Sequence, residues 1–285
     1  MSFFIQKVSD YGTETPAVAR CVPQASNLLN ATKLSAKRRE EVLGVILELQ
    51  RHLLRCLAER KEVESGVVAG RAQMSEKGIG KAPAYSLPGV PDLKGRCESF
   101  LHSARLALHQ CGRLVAVGLR DEFDDVPDTG HRFDKLLPWC ERTLGADHVL
   151  SEMVKNIEPW AAIVVQMRNA VDHPKEGDGN ALHVLNFRLG TEANTVVDPG
   201  WLLTGSPPQS ILESMAAIET GLLEVYEELF IGVFECIKAT PHIQMVEVPE
   251  QKRDPKCPIR FEMALAPSLR KQIEAKAVPG PTSTG

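Results

Sequence analysis

The residues best suited to chemistry in this chain lie in one short segment at positions 168–173, whose sequence is RNAVDH. Asn169 and His173 are four positions apart, so on a helix their side chains share one face, and the long side chain of Arg168 can reach the same pocket. Free carbonyl groups at the end of a helix favour a protonated imidazole, which would let His173 exchange a proton near neutral pH. The segment therefore combines a permanently charged guanidinium with a proton-exchanging ring.

The spacing between arginine and histidine is not distinctive by itself. Two other pairs have a comparable spacing: Arg96 with His102, and Arg142 with His148. The segment at 168–173 differs because Asn169 directly follows its arginine, an apolar helix precedes it, and Pro174 ends that helix. A plainer interpretation stays open, in which Arg168 and Asp172 form a surface ion pair worth roughly 0.2–0.5 kcal/mol and His173 only terminates the helix.

The composition is that of an ordinary soluble protein, with 43% hydrophobic and 25% charged residues among 285. No apolar run approaches the roughly 18 residues of a membrane helix, and the start, MSFFIQKVSDYG, lacks the pattern of a signal peptide. Seven scattered cysteines without a CxxC motif indicate reduced thiols and a cytoplasmic location. The net charge of −4 excludes a uniformly basic nucleic-acid-binding protein but allows a local basic patch.

Sequence signatures of cofactor and metal sites are absent. The chain has no GxxxxGK(S/T) or GxGxxG phosphate-binding loop, no HExxH motif and no GxSxG motif. Its eight histidines are spread singly, so they do not indicate a metal site. We therefore expect neither a metal ion nor a cofactor.

Hydrophobic periodicity predicts the helices that must position this segment. The first begins at the N-cap Ser35 and carries an apolar stripe of Val42, Ile46, Leu49, Leu53 and Leu57. A linker broken by glycine and proline follows at 66–91. Further helices are predicted at 93–119, 131–144, 147–156 and 159–173. A capping box at Ser206 opens the last predicted helix, which continues to about Ala239. The helix from Pro159 would bury Trp160, Ile163, Val164, Met167 and Val171.

Short strands complete the predicted fold. Leu182–Leu189 alternates, and Thr195–Val197 could return as the second strand of a hairpin. Two more strands are predicted at 242–248 and 259–264. The fold class is therefore mainly α, an antiparallel bundle of four to five helices with one or two small appended β hairpins. The predicted parts are an N-terminal extension at 1–34, the bundle at 35–240 including a hairpin near 181–203, and short strands with a disordered tail at 241–285.

Arg168 is followed directly by Asn169 and, five positions after the arginine, by His173 at the end of a predicted bundle helix. This pattern resembles the HEPN superfamily (higher eukaryotes and prokaryotes nucleotide-binding domains). The resemblance covers about residues 95–240 in architecture and positions 168–173 in motif. It implies a metal-independent endoribonuclease in which the RNA 2′-hydroxyl attacks the adjacent phosphorus. His173 would move protons, Arg168 would stabilise the charge on the phosphorane, and Asn169 would orient the histidine or hold a phosphate oxygen.

The resemblance also implies partners. Two copies would face one cleft in a homodimer, and the chain would act as a toxin or an antiviral defence effector with an antitoxin or other defence protein. A subgroup of the superfamily carries tyrosine two residues after the histidine, where this chain has Lys175, which argues against regulation by tyrosine modification. The rival hypothesis is a non-catalytic HEPN-like module that binds a nucleotide, an RNA or a protein.

Three residues after the motif are candidates for substrate binding: Lys175, His183 and Arg188. Each could contact an RNA phosphate, although a solvated strand face is the plainer interpretation for them. His131 and Arg132 could also line the cleft, or they could simply begin a helix.

Overall fold

The computed structural model describes residues 10–77, 86–172, 181–192 and 195–267. The chain is mainly helical with small antiparallel sheets, which confirms the predicted class. The helices are α1 (Pro16–Ala19), α2 (Val22–Leu29), α3 (Ala36–Lys77), α4 (Leu93–Leu119), α5 (Phe133–Thr143), α6 (Val149–Asp172) and α7 (Ile211–Ile237). The predicted disordered tail lies outside the described residues.

Helix α4 lies at the centre of the core and contacts α3, α6 and α7. Its apolar residues at a spacing of three and four, which include Phe100, Ala104 and Leu114, are buried, as are the predicted stripe of α3 and the apolar face of α7. A spacing of three and four residues places these apolar groups on one face of each helix, and packing that face stabilises helices of this length. The bounds of α4 coincide with the prediction at both ends.

Two predicted helix boundaries are wrong. Helix α3 continues past Gly66 and Gly70 to Lys77, because each glycine lies where another segment packs closely onto the helix. A Cβ atom on Gly66 would lie 2.6 Å from Cγ1 of Val90, and one on Gly70 would lie 2.4 Å from the ring of Phe187. The packing of these two buried side chains offsets the cost of about 1 kcal/mol for each glycine within a helix.

Helix α6 joins two helices that the sequence predicted separately, with Pro159 in its interior. The buried positions on either side of the proline belong to one core: Val154, Ile157, Ala161, Val164 and Met167. Continuous burial therefore outweighs the hydrogen bond that proline cannot make. The predicted buried face is also partly wrong, because Ile163 is 54% exposed.

The β region contains one long hairpin whose two arms pair in two successive segments. Strand β1 (Leu182–Leu185) pairs with β4 (Gly200–Leu203), and β2 (Arg188–Leu189) pairs with β3 (Val196–Val197). The predicted return strand is therefore only the outer half of the hairpin. A fifth strand, β5 (Gln209–Ser210), adds to β4, so the predicted capping box at Ser206 is wrong.

The cap of α7 is Ser210, whose hydroxyl accepts a hydrogen bond of 3.4 Å from the Glu213 N–H. The sheet is anchored to α4 by the buried ring of Trp201, whose centroid lies 6.4 Å from that of Phe100. Asn186 adds a second anchor, since its side chain accepts from the Val90 N–H at 3.0 Å and donates to the Val90 carbonyl at 3.1 Å.

The two ends of the described chain meet at a buried carboxylate on α7. The side chain of Glu227 is 1% exposed and accepts hydrogen bonds from Arg20 Nε at 2.7 Å, Gln24 Nε2 at 3.2 Å and Arg260 Nη1 at 3.1 Å. Gln24 also accepts from the backbone N–H groups of Arg260 and Phe261, at 2.6 and 2.8 Å. This network ties α1 and α2 to the hairpin of β6 (Ile243–Glu247) and β7 (Phe261–Leu265), two strands that the sequence predicted.

Replacement of Glu227 should destabilise the protein much more than replacement of its exposed neighbour Glu228. We expect Glu227→Gln to lower the free energy of unfolding by about 3 kcal/mol, because it leaves the arginines at a buried position without their counter-charge. Glu228→Gln removes the same charge from the surface and should change it by less than about 0.5 kcal/mol. Urea denaturation measures both, and equal effects of the two substitutions would contradict the role given to Glu227.

Candidate functional site

The structure places Arg168 and Asn169 in the last turn of α6. Arg168 is half-buried and Asn169 is exposed, and the guanidinium Nη1 of the first lies 3.5 Å from Oδ1 of the second. His173 and Lys175 lie outside the described residues. The two residues of the predicted motif that the structure describes therefore lie near the C-terminal end of a packed helix.

Asn169 lies on the wall of a cavity of about 350 Å³ between α6 and the start of α5. The other lining residues are His131, Arg132, Phe133, Asp134, Glu158, Ala162, Val165 and Gln166. Its wall thus combines cationic, anionic and amide groups, which is a surface suited to a small polar ligand. His131 and Arg132, which the sequence offered as cleft residues, do line this cavity, and Arg132 is also the residue before α5 begins.

Close backbone packing brings His131 against α4. Gly130 has a φ of 55°, a left-handed conformation that favours glycine, and a Cβ atom on it would lie 2.2 Å from Nδ1 of His109. A Cβ atom on Gly112 would lie 1.7 Å from the carbonyl oxygen of Gly130. Both positions therefore require glycine for the loop to reach the helix. The rings of His109 and His131 consequently lie 6.2 Å apart between centroids, at an angle of 43°.

Positive charge surrounds these two histidines. Burial lowers the pKa of His131 to about 4, helped by the charges of Arg105, Arg132 and Arg168 and by His109. Burial also lowers the pKa of His109, an effect that the Asp128 carboxylate opposes. We define the basic cluster as Arg105 and His109 on α4, His131 and Arg132 before α5, and Arg168 on α6.

Acidic side chains at the cavity partly balance this charge. Both oxygens of Asp134 accept hydrogen bonds from Arg132, at 2.9 Å each, and Glu158 lies on the cavity wall. The Arg132–Asp134 pair is exposed, and such pairs contribute only about 0–1 kcal/mol.

The remaining candidates lie elsewhere. His183 is exposed on β1, with Nε2 at 3.1 Å from the Thr204 hydroxyl oxygen. Arg188 lies on β2, opposite Val197. Neither belongs to the wall of the cavity that holds Asn169. The structure therefore brings Asn169 together with His131 and Arg132, and it does not bring His183 or Arg188 to them.

The two competing arginine–histidine pairs have other structural roles. Arg96 forms ion pairs of 3.3 Å with both Glu59 and Glu62 on α3. Arg142 forms an ion pair of 3.2 Å with Asp125, and the His148 ring accepts a hydrogen bond from the Leu150 N–H at the start of α6. These contacts hold α4 against α3, α5 against the preceding loop, and the first turn of α6.

Sequence reasoning missed Arg105 and His109. Their spacing of four residues places them on one face of α4, which is a signal in the sequence. That spacing does not reveal what the face meets, because His131 reaches it only through the packing of Gly130 on Gly112.

Comparison of the chain with protein-family models, with curated proteins and with solved structures found no match. Among the residues that the structure describes, no helix has the length and apolar character needed to cross a membrane. Within the same residues, no three His, Cys, Asp or Glu side chains are grouped so that they could hold a metal ion. All seven cysteines are free thiols.

The partial burial of His131 should make the protein less stable in mild acid. Its pKa of about 4 lies below the ordinary value of 6.5, so between these values the unfolded chain binds a proton that the folded chain does not. This contribution to stability is complete above about pH 6.5 and is lost as the pH falls towards 4. We expect the decrease in Tm between pH 7 and pH 5 to be smaller in His131→Asn than in the parent protein.

The control for this measurement is His183→Asn, which replaces an exposed histidine on β1. It should leave the pH dependence of Tm unchanged. An identical decrease in Tm for the parent and His131→Asn would show that His131 is protonated in the folded state as easily as in the unfolded chain.

Proposed function

We propose that the protein is a metal-independent endoribonuclease of the HEPN type, built on a bundle of four to five antiparallel helices. The observation that supports it is the position of Arg168 and Asn169 near the end of a packed helix, where Asn169 lines a cavity whose wall also holds His131 and Arg132. RNA cleavage needs a fixed positive charge at the reacting phosphate and a group that moves protons. In a cytoplasmic toxin or antiviral defence system, a partner protein would restrain this activity.

In the proposed reaction, the 2′-hydroxyl oxygen of RNA bonds to the adjacent phosphorus and the bond to the 5′ oxygen breaks. The products are a 2′,3′-cyclic phosphate and a free 5′-hydroxyl. His173 accepts the proton of the attacking hydroxyl or donates one to the leaving oxygen. Arg168 stabilises the negative charge on the phosphorane oxygens, because guanidinium stays charged and its N–H groups match two oxygens. Asn169 orients the histidine or a phosphate oxygen.

A second candidate function is binding of a nucleotide or RNA without cleavage. The position of Arg132 and His131 on the cavity wall favours it, since cationic and imidazole groups there can hold a phosphate without any proton transfer. The two functions share the ligand chemistry and differ in whether His173 is needed.

Substitution of the motif should abolish cleavage with little change in the fold. We expect Arg168→Ala and His173→Ala each to reduce RNA cleavage by about 10² or more, because each removes a group that acts in the transition state. Asn169→Ala should cause an intermediate loss. The assay incubates the full chain with total RNA in EDTA and detects cyclic phosphate ends, and Tm verifies that the variants fold.

Arg96→Ala and Arg142→Ala are the matched controls, because each removes an arginine from a competing arginine–histidine pair. Both should cleave at the parental rate. Loss of cleavage in either control together with an active His173→Ala would show that the wrong helix was chosen. If the parent cleaves only when Mg²⁺ or Mn²⁺ is added, the proposed mechanism is wrong, and if every variant and the parent are inactive, the binding function takes its place.

We also propose that the protein forms a homodimer in which two copies of the motif face one cleft. Helix α6, which carries the motif, also exposes the apolar side chain of Ile163, which is 54% exposed. Light scattering at micromolar concentration should give twice the chain mass, and Ile163→Arg should give the mass of one chain because it places a charge in the interface. A monomeric parent protein at this concentration would contradict a composite site built from two chains.

A further inference from the structure

We infer that a cavity between α1, α3 and α7 binds a small zwitterion with an apolar body. The ligand class comprises aliphatic amino acids and dipeptides, which carry one ammonium group, one carboxylate and apolar side chains. This cavity shares no lining residue with the cavity that holds Asn169, and its ligand requires neither His173 nor RNA. The inference therefore goes beyond the proposed ribonuclease.

The cavity has a volume of about 480 Å³ and an apolar floor. The floor is formed by Leu53 and Leu57 on α3 and by Leu223 on α7, all three of which belong to the hydrophobic core. Clefts of about 300–1,000 Å³ that combine an apolar lining with a few polar groups are typical of small-molecule sites. The floor favours a ligand with aliphatic side chains, because contact with the leucines removes apolar surface from water.

The two arginines on the wall of this cavity are already paired with carboxylates. Arg60 Nε on α3 lies 2.8 Å from Oε2 of Glu219 on α7, and Arg60 also pairs with Glu64 at 3.5 Å. Arg20 donates through Nε and Nη2 to the buried carboxylate of Glu227. The wall therefore has no excess of positive charge, which argues against a phosphate or another polyanion as its ligand.

Two other charges on the wall have no protein partner of opposite sign. Glu14 precedes α1 and Lys61 lies on α3, and in the described part of the chain neither of them forms an ion pair. The Lys61 ammonium is positioned by the ring of Tyr11, whose centroid lies 4.7 Å from Nζ. This contact leaves N–H groups of the ammonium for an acceptor. The cavity thus offers one carboxylate and one ammonium, which are the groups that bind the two ends of a zwitterion.

Arg20 adds a hydrogen-bond donor with a fixed direction. Within the described residues, Nη1 of Arg20 makes no hydrogen bond, while Nε and Nη2 are held by Glu227. Because guanidinium is planar, the two bonds to the buried carboxylate also fix the direction of Nη1. Nη1 can therefore donate to an oxygen atom of the ligand without breaking the contact between Arg20 and α7.

The unpaired charges also distinguish a zwitterion from other apolar ligands. An apolar acid would pair with Lys61 and leave Glu14 without a partner, and an apolar amine would do the reverse. A molecule with both charged groups satisfies both residues and brings no net charge to the cavity. Charge-assisted hydrogen bonds of this kind are stronger than those between neutral groups.

The test is isothermal titration calorimetry of the full chain with leucyl-leucine at pH 6.5, where its amine is protonated and its carboxyl group is ionised. We expect saturable binding of one dipeptide per chain. N-acetyl-leucyl-leucine lacks the ammonium and leucyl-leucine amide lacks the carboxylate, so each should bind about tenfold more weakly. Glycyl-glycine keeps both charges and should also bind at least about tenfold more weakly, because it has no side chains to cover the leucine floor.

Substitution of Glu14 and Lys61 assigns each end of the ligand to its partner. Both residues are exposed, so their replacement should leave Tm unchanged. Glu14→Gln should weaken binding of leucyl-leucine about tenfold without changing the affinity for N-acetyl-leucyl-leucine. Lys61→Gln should have the same effect on leucyl-leucine without changing the affinity for the amide. Glu40→Gln and Lys37→Gln replace exposed charges on α3 outside the cavity, and these matched controls should bind with parental affinity.

Leucine forms a second arm that identifies the source of the zwitterion. Affinity for leucine at least equal to that for leucyl-leucine assigns the cavity to a free amino acid, and tighter binding of the dipeptide assigns it to a peptide. Binding of neither, or unchanged affinity when either charged end is removed, overturns the inference. If leucyl-leucine binds as expected but RNA is not cleaved, only the proposed ribonuclease fails. If RNA is cleaved with dependence on His173 but neither leucine nor the dipeptide binds, only this inference fails.

Discussion

A buried charge on α7 determines how the ends of the described chain are placed. The Glu227 carboxylate is almost completely removed from solvent, and a charge in that environment is tolerated only with close counter-charges and hydrogen bonds. Arg20 and Gln24 come from the first helices, and Arg260 comes from the last strand pair. The folded chain therefore brings both ends of its described part to α7.

The candidate site depends on α4 in a different way, through the absence of side chains. Gly112 has no side chain, so the carbonyl group of Gly130 packs directly against α4. The left-handed conformation of Gly130 then turns the chain and places His131 beside the helix. The site is therefore made by backbone contact between a helix and a loop. Arg168 and Asn169 approach the same place from α6, which α4 also holds.

The basic cluster brings residues of α4, of the segment before α5 and of α6 around two histidines whose pKa values burial lowers. Shifted pKa values of this kind are common at functional sites. The cluster supports the proposed ribonuclease, since cleavage of a phosphodiester requires cationic surroundings.

The sequence by itself determined the helical class, the apolar faces of α3, α4 and α7, and the bounds of α4. It also placed Arg168 and Asn169 near the end of a helix. These features depend on the periodicity of residues within one element. Only the tertiary structure decided that α3 passes through Gly66 and Gly70 and that α6 passes through Pro159. A local break costs a few kcal/mol at most, and burial against distant segments outweighs it. The contact between His109 and His131 was likewise not predictable from the sequence, because it depends on the packing of Gly130 against Gly112, which no local pattern encodes.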